Sequence, residues 1–239
     1  MTTRRAAPKV NVRATVAEFV GTAFLLLAIV GSGIMAQRLC GGNVGLALLA
    51  NALATGGALI ALILAFGPVS GGHFNPVVTL ASAARDKVWT NVLPYIVAQV
   101  LGALCGTLLA NAMFGLPAFS ASHHDRSGSA MIVSEFVATF GLLAVIWGCV
   151  RARPSAAPYA VAAYIVGAYW FTPSTSFANP AVTIARSLTD TFSGIRPADV
   201  PAFIIAQLLG AAAATALFAW FGRSNAADIV VPHQEAVSA

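Results

Sequence analysis

Apolar residues occupy this chain in long runs, with polar and charged positions gathered in the short breaks between them. Six runs approach the roughly 20 residues that a helix needs to cross a bilayer. They are Val16–Ala36, Val44–Phe66, Val92–Phe114, Met131–Val150, Ala157–Phe171 and Val200–Phe221. The fifth is short, and its start can extend back to Pro154. Two further runs, Asn75–Ala84 and Asn179–Leu188, are too short to span, and each opens on Asn-Pro. The pattern predicts an all-α membrane protein with six transmembrane helices and two re-entrant half-helices.

The chain also repeats itself. Val16-Ala-Glu18-Phe-Val-Gly-Thr22 is echoed by Val133-Ser-Glu135-Phe-Val-Ala-Thr139. Phe74-Asn75-Pro76-Val77-Val78-Thr79 is echoed by Ala178-Asn179-Pro180-Ala181-Val182-Thr183. Tyr95-Ile-Val-Ala-Gln99 is echoed by Phe203-Ile-Ile-Ala-Gln207. The pairs keep the same order in both halves. Each half carries three spans, so the second half crosses the membrane in the opposite sense. An inverted 3+3 repeat of this kind places a transport site near the midplane, at the interface of the halves.

Composition removes the main alternatives. Of 239 residues, 58% are hydrophobic and 9% charged, against about 25% charged in a soluble domain. A soluble enzyme, a disordered chain and a nucleic-acid binder are excluded. The net charge of +5 comes from short basic clusters between apolar runs. Arg4, Arg5, Lys9, Arg13, Arg85, Lys87, Arg151, Arg153 and Arg223 fall on one side, and Arg38, Arg126 and Arg196 on the other. The positive-inside rule therefore places both termini in the cytoplasm of a multi-pass protein of the cell's inner membrane. The basic start, Met1–Arg13, is followed by no short apolar core with a cleavage site, so the first run reads as a retained helix. The expected organisation is a cytoplasmic arm (1–15), one channel domain (16–222) and a cytoplasmic tail (223–239). Within the domain, the repeats cover about 16–114 and 131–221.

Asn is a preferred N-cap and Pro is favoured at the first helical position. Asn75-Pro76-Val77 and Asn179-Pro180-Ala181 should each start a helix at mid-membrane. The flanking Gly67–Phe74 and Thr172–Ala178 read as irregular backbone lining a cavity, where such backbone is tolerated. Each Asn oxygen can cap its own helix, leaving its NH2 donors free to face a passing solute. Two helix N-termini facing each other raise a barrier to cations and interrupt a proton wire.

Gly71-Gly-His-Phe-Asn-Pro-Val-Val-Thr79 and Phe177-Ala-Asn-Pro-Ala-Val-Thr183 resemble the two signature loops of the major intrinsic protein family, the aquaporins and aquaglyceroporins. The resemblance covers about residues 14–222. It implies an aquaporin-like bundle, a homotetramer with one pore per subunit, and passive conduction without a cofactor or metal. The expected partners are small neutral solutes, water and the lipid bilayer, with no nucleic acid. The first signature has Val77 where the family usually has Ala, a change behind the Asn that should not remove the cap.

The resemblance also places a selectivity filter on Thr55, Gly167, Ser176 and Val182, with Ala168 or Tyr169 as alternatives to Gly167. Water channels typically carry an aromatic at the Thr55 place, His at the fifth-helix place and Arg at the Val182 place. The expected filter is therefore wider and less polar than a water-specific one. It resembles that of a bacterial branch associated with arsenic resistance, whose members pass arsenite and methylated arsenicals. Arg186, one turn beyond Val182, either brings positive charge to the pore mouth or snorkels to the external interface. Glu18 and Glu135 need partners inside the membrane, and the resemblance makes them supports of the re-entrant loops. His73 reads as a loop histidine packed under its half-helix. His123-His124-Asp125 reads as a solvated external loop in preference to a metal site. Gly102, Gly106 and Gly210 should allow close helix approach.

Three function classes are open to such a chain. A channel for glycerol-like polyols, arsenicals and water leads, with a water-selective pore as the nearer alternative. An ion-coupled transporter is disfavoured by amide donors and helix N-termini at the midplane. A membrane enzyme is disfavoured by the lack of a nucleophile–base pair or metal spacing.

Overall fold

The structure is a computed structural model and describes residues 10–224. Arg4, Arg5, Lys9, most of the expected arm and nearly all of the tail lie outside the described residues. Within them the chain is helical, with no strand. Six long elements are α1 (Val12–Leu39), α2 (Val44–Ser70), α4 (Val92–Met113), α5 (Ser129–Ala152), α6 (Ala157–Phe171) and α8 (Val200–Ser224). Two short ones are α3 (Pro76–Asp86) and α7 (Pro180–Arg186).

Five of the long helices are long and apolar enough to span a membrane. The remaining one, α6, has only 15 residues, about 22 Å at 1.5 Å per residue. A 3-10 turn at Pro154–Ala156 leads into it and brings the stretch close to the roughly 30 Å hydrocarbon core. Side-chain caps start α1 and α2, where Asn11 accepts from Ala14 N at 3.2 Å and Asn43 from Leu46 N at 3.0 Å.

Three boundaries differ from expectation. Helix α2 continues through Pro68 to Ser70, so only Gly71–Asn75 remains irregular where Gly67–Phe74 was expected to be. Helix α3 runs two residues beyond Ala84 to Asp86, where Lys87 ends it in the left-handed conformation at φ 59°. Helix α7 stops at Arg186, short of Leu188. There the Ser187 and Leu188 N–H groups bond Ile184 and Ala185 carbonyls at 3.2 and 3.1 Å, tightening the last turn.

The halves are built alike. In the first, α1 packs on α2 and α4; in the second, α5 packs on α6 and α8. Helices α2 and α6 meet across the halves, and each half-helix packs on both α4 and α8. Glycine sets the closest approaches. A Cβ on Gly106 would overlap the Ala23 carbonyl of α1, and one on Gly102 the Phe19 carbonyl. The repeat-matched Gly210 stands in the same way against the Phe136 carbonyl of α5. Gly106→Ala should therefore push α1 and α4 apart and cost about 1–3 kcal/mol as overpacking. A melting temperature in detergent equal to wild type would show that the helices can shift without loss.

Candidate functional site

The two half-helices meet end to end at the centre of the bundle, and the junction is cross-braced. Asn75 Oδ1 accepts from Val77 N at 3.1 Å, and its Nδ2 donates to the Ala178 carbonyl at 2.8 Å. Asn179 Oδ1 accepts from Ala181 N at 3.0 Å and Val182 N at 3.3 Å, and its Nδ2 donates to the Phe74 carbonyl at 2.8 Å. Each Asn thus caps its own helix and holds the opposite loop. The expectation that both NH2 hydrogens stay free needs correcting. One hydrogen on each amide is spent on the other half, because the loop carbonyl of that half arrives within bonding distance. One N–H per Asn is left for the lumen, and both residues line a central cavity of about 400 Å³.

Those carbonyls point inward because the residues bearing them are bent. Phe74 and Ala178 lie in the left-handed region, at φ 48° and 47°, as do Thr175 and Ser176 at 62° and 51°. Such a conformation costs a non-glycine residue about 1–3 kcal/mol and persists only when neighbours enforce it. The enforcement comes from two fully buried carboxylates. Glu18 accepts from Ser70 Oγ (2.6 Å), His73 N (2.9 Å), Phe74 N (2.6 Å) and Gln99 Nε2 (2.7 Å). Glu135 accepts from Ser174 Oγ (2.6 Å), Phe177 N (2.9 Å), Ala178 N (2.9 Å) and Gln207 Nε2 (2.7 Å). The glutamines finish their donors on Thr79 and Thr183, each at 2.9 Å. His73 sits beneath α3, with Nδ1 and Thr79 Oγ1 sharing a hydrogen bond at 3.0 Å.

Ser70 and Ser174 were not singled out from sequence. Both stand five residues before an Asn-Pro, so extending the repeat alignment upstream would have exposed them. Arg126 was also missed as a site residue. It is buried, donates to the Gly194 carbonyl (Nε, 2.8 Å) and Ser174 carbonyl (Nη1, 2.9 Å), and lies over the Phe177 ring. Nothing in its sequence neighbourhood marks that role.

Beyond the junction the same cavity is lined by Thr55, Tyr169, Ser176, Val182 and Arg186. Thr55 Oγ1 and Tyr169 Oη share a hydrogen bond at 3.2 Å. Gly167 does not line the cavity; its nearest neighbour is Phe171. Of the three α6 positions expected at the filter, Gly167, Ala168 and Tyr169, only Tyr169 lines the cavity. Val161, Ile165 and Tyr169 recur every four residues on the inward face of α6, and a residue two positions before Tyr169 points away. An aromatic is therefore present after all, supplied by α6 and not by α2. The hydroxyl of Ser176 is buried without a hydrogen-bond partner among the described residues.

Arg186 is buried and does not snorkel to the interface. Its Nε donates to the Ser193 carbonyl, and its guanidinium stacks 3.5 Å from the centre of the Phe177 ring. Outside the membrane, His123 turns to Asp190 at 3.1 Å. The backbone N–H and imidazole of His123 hold the Asp190 carboxyl below its usual range. Burial, then the Arg126 and Arg186 charges, push His124 below its ordinary value. Among the described residues no group of three His, Cys, Asp or Glu side chains is placed to hold a metal.

Comparison with known proteins agrees with this architecture. The family model described as major intrinsic protein matches residues 5–175 and 156–239. The chain is 52% identical over 209 residues to aquaglyceroporin AqpS of Rhizobium meliloti, covering 87% of this chain and 89% of that protein. It is 30% identical over 222 residues to aquaporin Z of Bradyrhizobium diazoefficiens, covering 85% and 91%. The solved aquaglyceroporin from Plasmodium falciparum superposes with a TM-score of 0.62 at 22% identity, over 88% of this chain and 94% of that one. That likeness bears on the fold alone. With two family-model matches that overlap and together run from residue 5 to 239, the chain belongs to the major intrinsic protein family and is a multi-pass membrane channel, not an enzyme.

Proposed function

We propose that the protein is a passive channel for small neutral solutes of about glycerol size, arsenite and methylated arsenicals among them, with water passing as well. The observation that carries this reading is the mixed lining of the cavity beyond the junction, where an apolar Val182 stands with two hydroxyls. Val182, at the place where the family usually holds Arg, offers a short apolar wall. The nearest guanidinium on the same half-helix, Arg186, lines the same cavity and is held in place by Ser193 and Phe177. A solute therefore meets hydroxyls from Thr55 and Tyr169, a methyl surface at Val182 and the fixed guanidinium of Arg186. That division suits a polyol or hydroxylated arsenical, which has both polar and apolar faces. The relative from Rhizobium meliloti is named an aquaglyceroporin, which supports the glycerol part of the reading.

The topology proposed has both termini in the cytoplasm of the inner membrane, and the assembly proposed is a homotetramer with one pore per subunit. Facing helix N-termini at the Asn junction exclude protons and other cations. A water-selective pore is the alternative that flux separates. Stopped-flow light scattering on proteoliposomes should give linear glycerol and arsenite flux that ignores an ion gradient. Water flux without glycerol or arsenite flux would overturn the reading in favour of the water-selective one.

Val182→Arg tests the filter directly. The added guanidinium enters a wall already flanked by Arg186, so it narrows the passage and adds like charge. Flux should fall in order of solute size, methylated arsenicals first and glycerol next, with water retained. A uniform fall across the series at equal reconstituted protein would indicate damaged folding, and no fall would remove Val182 from the filter.

A further inference from the structure

A second cavity, of about 960 Å³, lies outside the pore between α3, α5 and α8. From the lining we infer that it is a binding site for one anionic diacyl phospholipid of the leaflet at the basic end. The groove follows α3 from Val77, beside the mid-membrane junction, to Lys87 just past its end. Eleven residues at about 1.5 Å each give it roughly the depth of one leaflet's hydrocarbon. Its floor is apolar. The polar groups there satisfy each other, since Trp147 Nε1 donates to Thr215 Oγ1 at 3.1 Å and Thr215 Oγ1 donates to the Ala211 carbonyl at 2.8 Å. Trp89, 56% exposed at the open end, has the position of an interfacial anchor.

Charge complementarity sets the headgroup. Arg85, Lys87 and Arg151 all line the same end of the groove. Arg85 pairs with Asp86 at 2.7 Å and stacks 4.4 Å from the centre of the Trp147 ring. Lys87 and Arg151 have no acidic partner among the described residues. Two uncompensated cations above a hydrocarbon slot fit a phosphodiester whose acyl chains fill the slot. A soluble phosphate lacks the chains, and a zwitterionic lipid lacks the net charge.

Native mass spectrometry of the full chain in mild detergent tests this, with phosphatidylglycerol and phosphatidylcholine of identical chains. Phosphatidylglycerol adducts should form at least about tenfold more readily. Lys87→Gln and Arg151→Gln should each weaken them roughly fivefold while leaving phosphatidylcholine adducts unchanged. Ala216→Trp, which fills the groove, should lower both. Glycerol phosphate at millimolar concentration should displace neither. Unimpaired glycerol flux in the two Gln variants shows that the pore is intact, so a fall in their adducts reports the groove. Equal binding of the two lipids, or adducts indifferent to both Gln variants, overturns the inference. So does displacement by glycerol phosphate. Adducts indifferent to Ala216→Trp mean that the lipid sits elsewhere on the protein, and overturn it too.

Discussion

Glu135→Ala is expected to leave almost no folded protein in the membrane. The carboxylate accepts four donors at 2.6–2.9 Å in a site with no exposure. Removing it strands Ser174, Phe177, Ala178 and Gln207 donors in a dry interior. Each such group costs about 1–3 kcal/mol, and the sum rivals the roughly 5–15 kcal/mol that holds a typical domain together. The left-handed residues of the second loop lose their enforcement at the same moment. Glu135→Gln should be milder, because one carbonyl oxygen still accepts, yet its amide hydrogens face backbone N–H groups and repel them. Glu18→Ala should behave alike through Ser70, His73, Phe74 and Gln99. Fluorescence-detected size exclusion of solubilised membranes reads the outcome. A wild-type peak for Glu135→Ala would mean that packing alone shapes the loop.

Asn179→Asp should cut glycerol flux more than tenfold in whatever protein assembles. The carboxylate can still cap Ala181 and Val182. It cannot donate to the Phe74 carbonyl, and at 2.8 Å it faces that oxygen with a negative charge. A charge at the bilayer centre also costs about 2.5–3.5 kcal/mol, and here it cancels the positive ends of two helices. The expected pair of results is lost solute flux and a new cation leak in planar bilayers. Asn75→Asp should match it through the Ala178 carbonyl. Wild-type flux with no leak, in monodisperse protein, would show that the amide bridges are dispensable.

The bundle was legible because membrane helices announce themselves by length and hydropathy, and because Glu18, Asn75 and Gln99 recur as Glu135, Asn179 and Gln207. The capping role of both Asn residues follows from local chemistry alone. The destination of their amide hydrogens does not, since it depends on two carbonyls more than 100 residues away. Tyr169 was legible only as one of three neighbours. A helix end shifts by a residue or two with the loop that follows it, and each residue turns the side chain by about 100°. Arg186 was placed correctly one turn past Val182, but periodicity cannot say whether a long side chain reaches out or folds back. Its ring partner, Phe177, and its carbonyl partner, Ser193, both come from the loops that flank α7. Loop geometry of that kind leaves no periodic trace.

The crossed amide bridges also govern the order of assembly. Asn75 finds its acceptor 103 residues further on, and Phe74 finds its donor after 105. At about 5–20 residues per second, the first half waits roughly 5–20 seconds during synthesis before either partner exists. Through that interval Glu18 can already secure its own loop, since all four of its donors lie in the first half. The tip of α3 cannot be finished. The first re-entrant segment must stay hydrated, or be shielded by the insertion machinery, until the second Asn-Pro emerges. A ribosome-stalled chain ending before residue 178 should therefore leave a cysteine placed at Pro76, buried at the tip of α3 in the finished bundle, open to aqueous thiol reagents, and one ending well past Ser224 should close it.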